Sequence, residues 1–148
     1  MLGELTREEC ERVLRTEQLG RIGCHAGGVT YVVPVSYVYN GTHLYALSAE
    51  GMKVRMMREN PRVCFEVEHV EAWYNWQTVI AWGTFEELHG TDAERAYRVV
   101  HSQLTPLIEF ESRGSPGGDP PPPPGVATRE FVLYRIQVEK LTGRFERL

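Results

Sequence analysis

The stretch VTYVVPVSYVYNGTHLYALSAEGMK, residues 29–53, decides the fold. Val29 to Tyr39 is rich in Val and Tyr, residue types that fit a pleated, half-buried surface. Asn40-Gly41 follows. Both residues tolerate positive φ, as a type I′ hairpin turn requires. Thr42 to Ser48 then returns as the partner strand. Pro34 has no N–H to give to a ladder, so it implies an edge or a bulge in the first strand. Backbone groups around Pro34-Val35-Ser36 therefore face something other than a neighbouring strand.

Upstream, Leu19 to Cys24 reads as a strand. It joins Val29 through the tight turn Ala26-Gly27-Gly28, giving a second hairpin. Before it, Thr6 and Glu9 form a capping box. Cys10, Val13 and Leu14 fall on one face of the helix that follows, which is expected to end near Gln18. Downstream, Ala49 to Glu59 reads as a short helix stopped by Asn60-Pro61, with Met52, Val54, Met56 and Met57 on its buried side. Val63 to Val70 alternates as a strand, with Val63, Phe65 and Val67 on one face and Glu66 and Glu68 on the other. Trp76 to Leu88 is another long strand, in which Gly83 marks a bulge or a close approach. Thr91 and Glu94 form a second capping box, and a helical stripe runs from Ala93 to Leu104. The pattern dissolves after Pro106. Residues 112–128, with Gly117-Gly118 and Pro120 to Pro124, read as a polyproline-type surface loop acting as a spacer. The last strand covers Glu130 to Glu139, and the tail Leu141 to Leu148 extends it. Six strands joined mainly by hairpins, with three peripheral helices, indicate an α+β, mainly β fold. An antiparallel sheet of this kind must close or cover its edges, so a small barrel is expected.

Composition narrows the class. The chain has 148 residues, 42% hydrophobic and 24% charged, with a formal net charge of −4. These values exclude collagen-like, disordered and coiled-coil readings. The length suits one domain over residues 1–148, able to bury roughly 70% of its unfolded surface. Apolar runs fall far short of the ~20 residues of a membrane helix, and the start lacks a secretory pattern. A cytoplasmic protein without membrane partners is expected. The absence of a Lys/Arg-rich run argues against a nucleic-acid partner. Cys10, Cys24 and Cys64 lack zinc-ligand spacing. His25, His43, His69, His89 and His101 fall in no H-E-x-x-H frame. No metal is expected.

The chemistry concentrates at Leu47 to Lys53. A strand ends at Ser48 and a helix begins there, with Ser48 as its cap. The free N–H groups and positive dipole end of the first turn face outward. Gly51 removes a side chain from the approach. Lys53, one of only two lysines in the chain, adds a full charge. This is an anion site suited to phosphate, although an ordinary helix start with a surface Lys fits the same residues. His69 shares the face of Val63, Phe65 and Val67 and precedes an aromatic stretch. It reads as a partly buried, satisfied histidine or as a weak catalytic candidate. No nucleophile elbow, P-loop or dinucleotide fingerprint is present.

Together, residues 19–67 (LGRIGCHAGGVTYVVPVSYVYNGTHLYALSAEGMKVRMMRENPRVCFEV), 76–88 (WQTVIAWGTFEEL) and 134–148 (YRIQVEKLTGRFERL) resemble the pyridoxamine 5′-phosphate oxidase-like, FMN-binding split-barrel family. The branch of nitroimidazole-resistance proteins is the most similar. The resemblance implies a six-stranded antiparallel split β-barrel and a homodimer with FMN in clefts between the subunits. It implies that Pro34, Val35, Ser36 and Tyr37 line the isoalloxazine ring. Leu47 and Ser48 would lie near the ribityl chain and phosphate, and Met52 and Lys53 at the phosphate. Trp76 and Thr78 would reach FMN from the other subunit, with Arg144 also approaching the cleft. Met52 replaces a cation common in the true oxidases. The end KLTGRFERL lacks the His of their substrate-holding segment, so the resemblance does not extend to that activity. The implied function is an FMN-dependent oxidoreductase acting on a small organic substrate, nitroaromatics included. The alternatives are a non-catalytic flavin-binding or redox-sensing module, and a haem or deazaflavin binder of the same fold.

Overall fold

The computed structural model describes the backbone of residues 1–113 and 131–148, and side chains of residues 1–104 and 131–148. The order is β1 (Leu2–Glu4), α1 (Arg7–Thr16), β2 (Leu19–Ala26), β3 (Val29–Tyr39), β4 (His43–Ala49), α2 (Met52–Glu59), β5 (Arg62–Ala72), β6 (Asn75–Glu87), α3 (Gly90–Arg113) and β7 (Phe131–Glu146). Every strand pairing is antiparallel. The strands run β1-β7-β4-β3-β2-β5-β6, and β6 pairs back onto β7. Six strands thus close into a barrel, the split-barrel fold. The seventh, β1, is a three-residue addition on the outer end of β7. Three residues are too few to carry a periodicity, and β1 was not expected.

Alternation builds the interior. Ile22, Val35, Tyr37, Leu44, Ala46, Phe65, Val67, Val79, Ala81, Tyr134 and Ile136 form one buried cluster, joined by Cys10, Val13 and Leu14 of α1. The capping box is present: Thr6 Oγ1 accepts from Glu9 N–H at 3.2 Å, and Glu9 Oε2 accepts from Thr6 N–H at 2.8 Å. α1 closes one mouth of the barrel, where β3 ends and β4 begins. α2 links β4 to β5 at the opposite mouth. α3 lies outside, where Val100 and Leu104 pack on Val38, and Ala96 packs beside Leu88 and Leu133.

Several expectations are corrected. The Asn40-Gly41 turn is not type I′, because no non-glycine residue has positive φ. Tyr39 pairs with Leu44, which centres the turn on Gly41 and Thr42. Gly41, at φ 104, alone takes the positive position, as a type II′ turn requires of its first central residue. Asn40 Oδ1 accepts from the N–H of Thr42 and of His43, displacing the turn by one residue. α3 already begins at Gly90, so Thr91 lies inside it and is not its cap. Its backbone stays helical past Pro106 to Arg113. The Pro-rich spacer falls largely outside the described residues.

Pro34 does mark an edge. Val29 to Ser36 of β3 pair with β2 only. Gly83 is a close approach: a Cβ there would lie 2.0 Å from the Gln137 carbonyl oxygen. The β6–β7 register slips at this point, leaving Glu139 as the extra residue on β7.

Candidate functional site

The barrel is split between β3 and β4. These strands share only three pairs, from Tyr37↔Ala46 to Tyr39↔Leu44. Beyond them β4 continues along β7 to Ala49, while β3 keeps only β2 as its partner. The split opens toward the α2 mouth, and most of the expected site residues border it. Pro34 and Ser36 project from the outer face of β3, whereas Val35 and Tyr37 point into the core. The Tyr37 hydroxyl donates to the Leu14 carbonyl at 2.8 Å, and its ring meets Phe65 edge-on. Burial raises its pKa well above the usual tyrosine value. The side chains of Val35 and Tyr37 are therefore turned away from any ligand, and the Tyr37 N–H is already given to the Gln18 carbonyl at 3.0 Å. Leu47 packs outward under α3.

Ser48 corrects the expected cap. It is buried and shares a 2.9 Å hydrogen bond with the Tyr134 hydroxyl inside the barrel. The helix starts later, with Gly51 as an N-cap that makes no side-chain bond. The first intrahelical bond runs from Arg55 N–H to the Gly51 carbonyl. The N–H groups of Met52, Lys53 and Val54 are thus free of intrahelical partners. Met52, expected on the buried side, is 44% exposed. Lys53 is half-buried and has no ion pair or hydrogen bond among the described residues. Its charge is felt at Cys24, where burial raises the thiol pKa and Lys53 opposes the rise. The nearby acid, Glu50, is neutralised: Arg58 binds both Glu50 and Glu87. The Arg58 hydrogen bond holds Glu87 below the usual carboxylate range.

Trp76, Thr78 and His69 lie toward the other mouth. Trp76 Nε1–H donates to Glu146 at 3.1 Å, and Thr78 Oγ1–H to Glu66 at 2.8 Å. Arg144 pairs with Thr78 across β6 and β7. His69 shares the face of Val67 but is exposed, because β5 runs past the barrel wall after Val67. Its two ring nitrogens meet Glu17 at 2.7 Å and Glu71 at 3.4 Å. A cavity of about 620 Å³ lies here between α1, the β5–β6 hairpin and the C-terminal end. Trp76 pairs with Val70, eight residues along β5 from the α2 mouth at Arg62. That is roughly 25 Å of strand. Within the chain, Lys53 and Trp76 are therefore separated by most of the barrel's length.

The outer face of the sheet carries a further feature. Val32, Gly23, Cys64, Trp82 and Lys140 stand in one cross-strand row. Val32 is 64% exposed and Trp82 38%. The next row runs Pro34, Arg21, Glu66 and Ile80, so it carries an ion pair between its apolar ends. The first row from Val32 to Trp82 is thus the apolar strip open to solvent. Its cysteine is a free thiol, as are Cys10 and Cys24.

Sequence reasoning missed Tyr134, Glu17 and Glu71. The His69 and Glu71 spacing, two residues apart on a strand, was a usable signal. Tyr134 and Glu17 lie 86 and 52 residues from their partners, and nothing local announces them. No cluster of three or more His, Cys, Asp or Glu suited to a metal occurs among the described residues. No helix among them is long and apolar enough to cross a membrane.

A six-stranded barrel opened between two strands, with a bare helix start at the opening, defines the split-barrel class. The family model described as pyridoxamine 5′-phosphate oxidase matches residues 6–145, and the chain belongs to that family. An FAD-binding protein of Mesorhizobium loti is 30% identical, with a TM-score of 0.80, over 100% of this chain and 98% of its own. An uncharacterized protein of Rhizobium meliloti (strain 1021) is 28% identical over 141 residues, 95% of this chain and 92% of that protein. A candidate 5-nitroimidazole antibiotic resistance protein of Bacteroides thetaiotaomicron VPI-5482 shares the fold at 18% identity. Its TM-score is 0.66, over 98% of this chain and 87% of that one.

Proposed function

We propose that the chain is a flavin-binding protein, FMN being the cofactor, and an oxidoreductase acting on a small organic substrate such as a nitroaromatic. In this reading it is a single cytoplasmic domain over residues 1–148 and works as a homodimer with the flavin between subunits. The observation that carries the reading is the juxtaposition at the split. An unpaired strand edge on β3 lies beside a helix start that presents free N–H groups and a cation with no partner among the described residues.

Each residue then has a task. Lys53 and the N–H groups of Met52 to Val54 hold the phosphate, using charge-assisted bonds at a positive dipole end. Met52, where a second cation would strengthen the grip, contributes apolar contact only. Pro34 and Ser36 border the ring, with Val35 and Tyr37 holding the strand beneath it. Leu47 and Ser48 back the middle of the cleft, Leu47 from under α3 and Ser48 by fixing Tyr134. Trp76 and Thr78 lie too far from Lys53 to share one flavin within a protomer, which supports their coming from a second copy. The apolar strip through Val32 and Trp82 is a surface suited to that copy. The flavin would supply hydride chemistry, while the chain binds, orients and excludes water. On the substrate side His69 is the group able to carry a proton.

The test is the purified chain itself. It is expected to be yellow and to release flavin on denaturation, and chromatography then distinguishes FMN from FAD. Lys53→Ala is expected to weaken flavin binding by roughly tenfold or more, consistent with loss of one charge-assisted bond. Unchanged affinity, measured by fluorescence titration, would remove Lys53 from the phosphate. Reduction by NAD(P)H followed by substrate-dependent reoxidation separates the enzyme from a non-catalytic flavin module. A Soret band, or selective uptake of a deazaflavin, would identify the other cofactors open to this fold.

A further inference from the structure

We propose that Glu17, His69 and Glu71 form a proton-operated clasp across the cavity at the α1 mouth, closed while the imidazole carries both protons and released when it loses one. The argument is one of donor count. Nδ1 of His69 lies 2.7 Å from Glu17 Oε1, and Nε2 lies 3.4 Å from Glu71 Oε1. A carboxylate only accepts, and a neutral imidazole has a single N–H. In the neutral ring one nitrogen must therefore face a carboxylate oxygen lone pair to lone pair. The arrangement is satisfied only by the imidazolium.

The position of each acid makes the contact a tie between elements. Glu17 caps the C-terminus of α1, its own N–H donating to the Val13 carbonyl at 3.1 Å. Glu71 is the bulged residue of β5, skipped where the register slips between Val70 and Ala72. Two residues on from His69, it shares that residue's face while being left out of the ladder. Asn75 Nδ2–H fixes the other Glu71 oxygen at 2.6 Å. The imidazolium thus bridges the helix that plugs the barrel and the hairpin that overhangs it. Between them lies the cavity, lined by Arg12, Thr16, Trp76 and Arg147 besides the clasp. Arg12 on α1 and Arg147 after β7 are the cations facing this space. Glu146 of β7 lies behind it, accepting from the Trp76 indole. Once His69 is neutral, both arginines compete for Glu17 and Glu71, and the bridge loses its centre.

The pH sense follows. The hydrogen bond to Glu17, then that to Glu71, raises the His69 pKa above the ordinary histidine value. The tie is complete below that ordinary value and is lost as pH rises through the raised one. It is lost again in acid, where the carboxylates protonate. The clasp uses the chain's own side chains and does not depend on a bound flavin.

The test follows the Glu17 amide in the full chain by hydrogen exchange, with the His69 ring titrated by NMR in the same samples. Protection of that amide is expected to fall roughly fivefold across the His69 titration, the scale of an exposed ion pair. In His69→Gln the protection is expected to be independent of pH. In Glu71→Gln the His69 titration should move toward the ordinary value, a check that does not rely on removing the ring. The same loss of protection in His69→Gln, or constant protection across the wild-type titration, would overturn the proposal.

Discussion

Ser48 shows how one residue's role turns on register. Read along the chain, a Ser where a strand gives way to a helix is a cap. In the barrel, Ser48 pairs with Val132 across β4 and β7, which directs its hydroxyl to Tyr134 in the interior. Burial pushes the Tyr134 pKa up to about 12, so the phenol stays protonated and available as a partner. Each hydroxyl is satisfied by the other, and removing one strands the second. Tyr134→Phe and Ser48→Ala are each expected to cost about 1–2 kcal/mol in urea unfolding, whereas the double variant should cost less than their sum. His69 is the complementary case. Strand alternation placed it on the apolar face, but the core ends at Val67 and the same face continues into solvent. Alternation reports which side a residue is on. It does not report where the barrel wall stops.

At the scale of elements, the strands were legible wherever local chemistry forces them. Pro34 announced an unpaired edge, and Gly83 announced a close approach. Both readings follow from what a single residue lacks: an N–H in one case, a Cβ in the other. Thr6 and Glu9 located α1 for a similar reason. The elements that escaped, β1 and the second half of α3, are held by contacts or by helical continuity that no short window contains. Asn40 is instructive because its type I′ reading failed on its own side chain. The amide oxygen that tolerates positive φ instead captured two N–H groups and moved the turn onward. Gly83 yields an element-scale prediction. Gly83→Ala forces its methyl against the Gln137 carbonyl, so β6 and β7 must part at their tightest point. Thermal unfolding is expected to register a loss of about 3 kcal/mol.

For the whole molecule, the two mouths of the barrel have different characters. One is plugged by α1 and overhung by the β5–β6 hairpin. The other is open at the split and carries Lys53. The sequence marked the second by an uncommon lysine two residues after a glycine at a helix start, a pattern that an ordinary surface helix also fits and that the family resemblance singled out. It marked the first only through His69, because Glu17, Arg12 and Arg147 come together by folding alone. The proposed dimer joins the two mouths of different copies, and the row through Val32 and Trp82 tests it. Val32 makes no polar contact and is mostly exposed, so Val32→Glu should leave the fold of each chain intact by circular dichroism. It is expected to shift the light-scattering mass to that of one chain and to lower flavin affinity at least tenfold, since a charge buried at such a contact goes unpaired. A dimer of unchanged stability in Val32→Glu would place the second copy elsewhere. The split itself has one more consequence. Eight residues of β3, Val29 to Ser36, present a bare strand edge, the kind of surface on which foreign strands add and fibrils seed. Pro34 sits within that edge, and a residue without an N–H makes a poor template. The proline that marks the open edge is thus also what keeps the opening from being zipped shut by another chain.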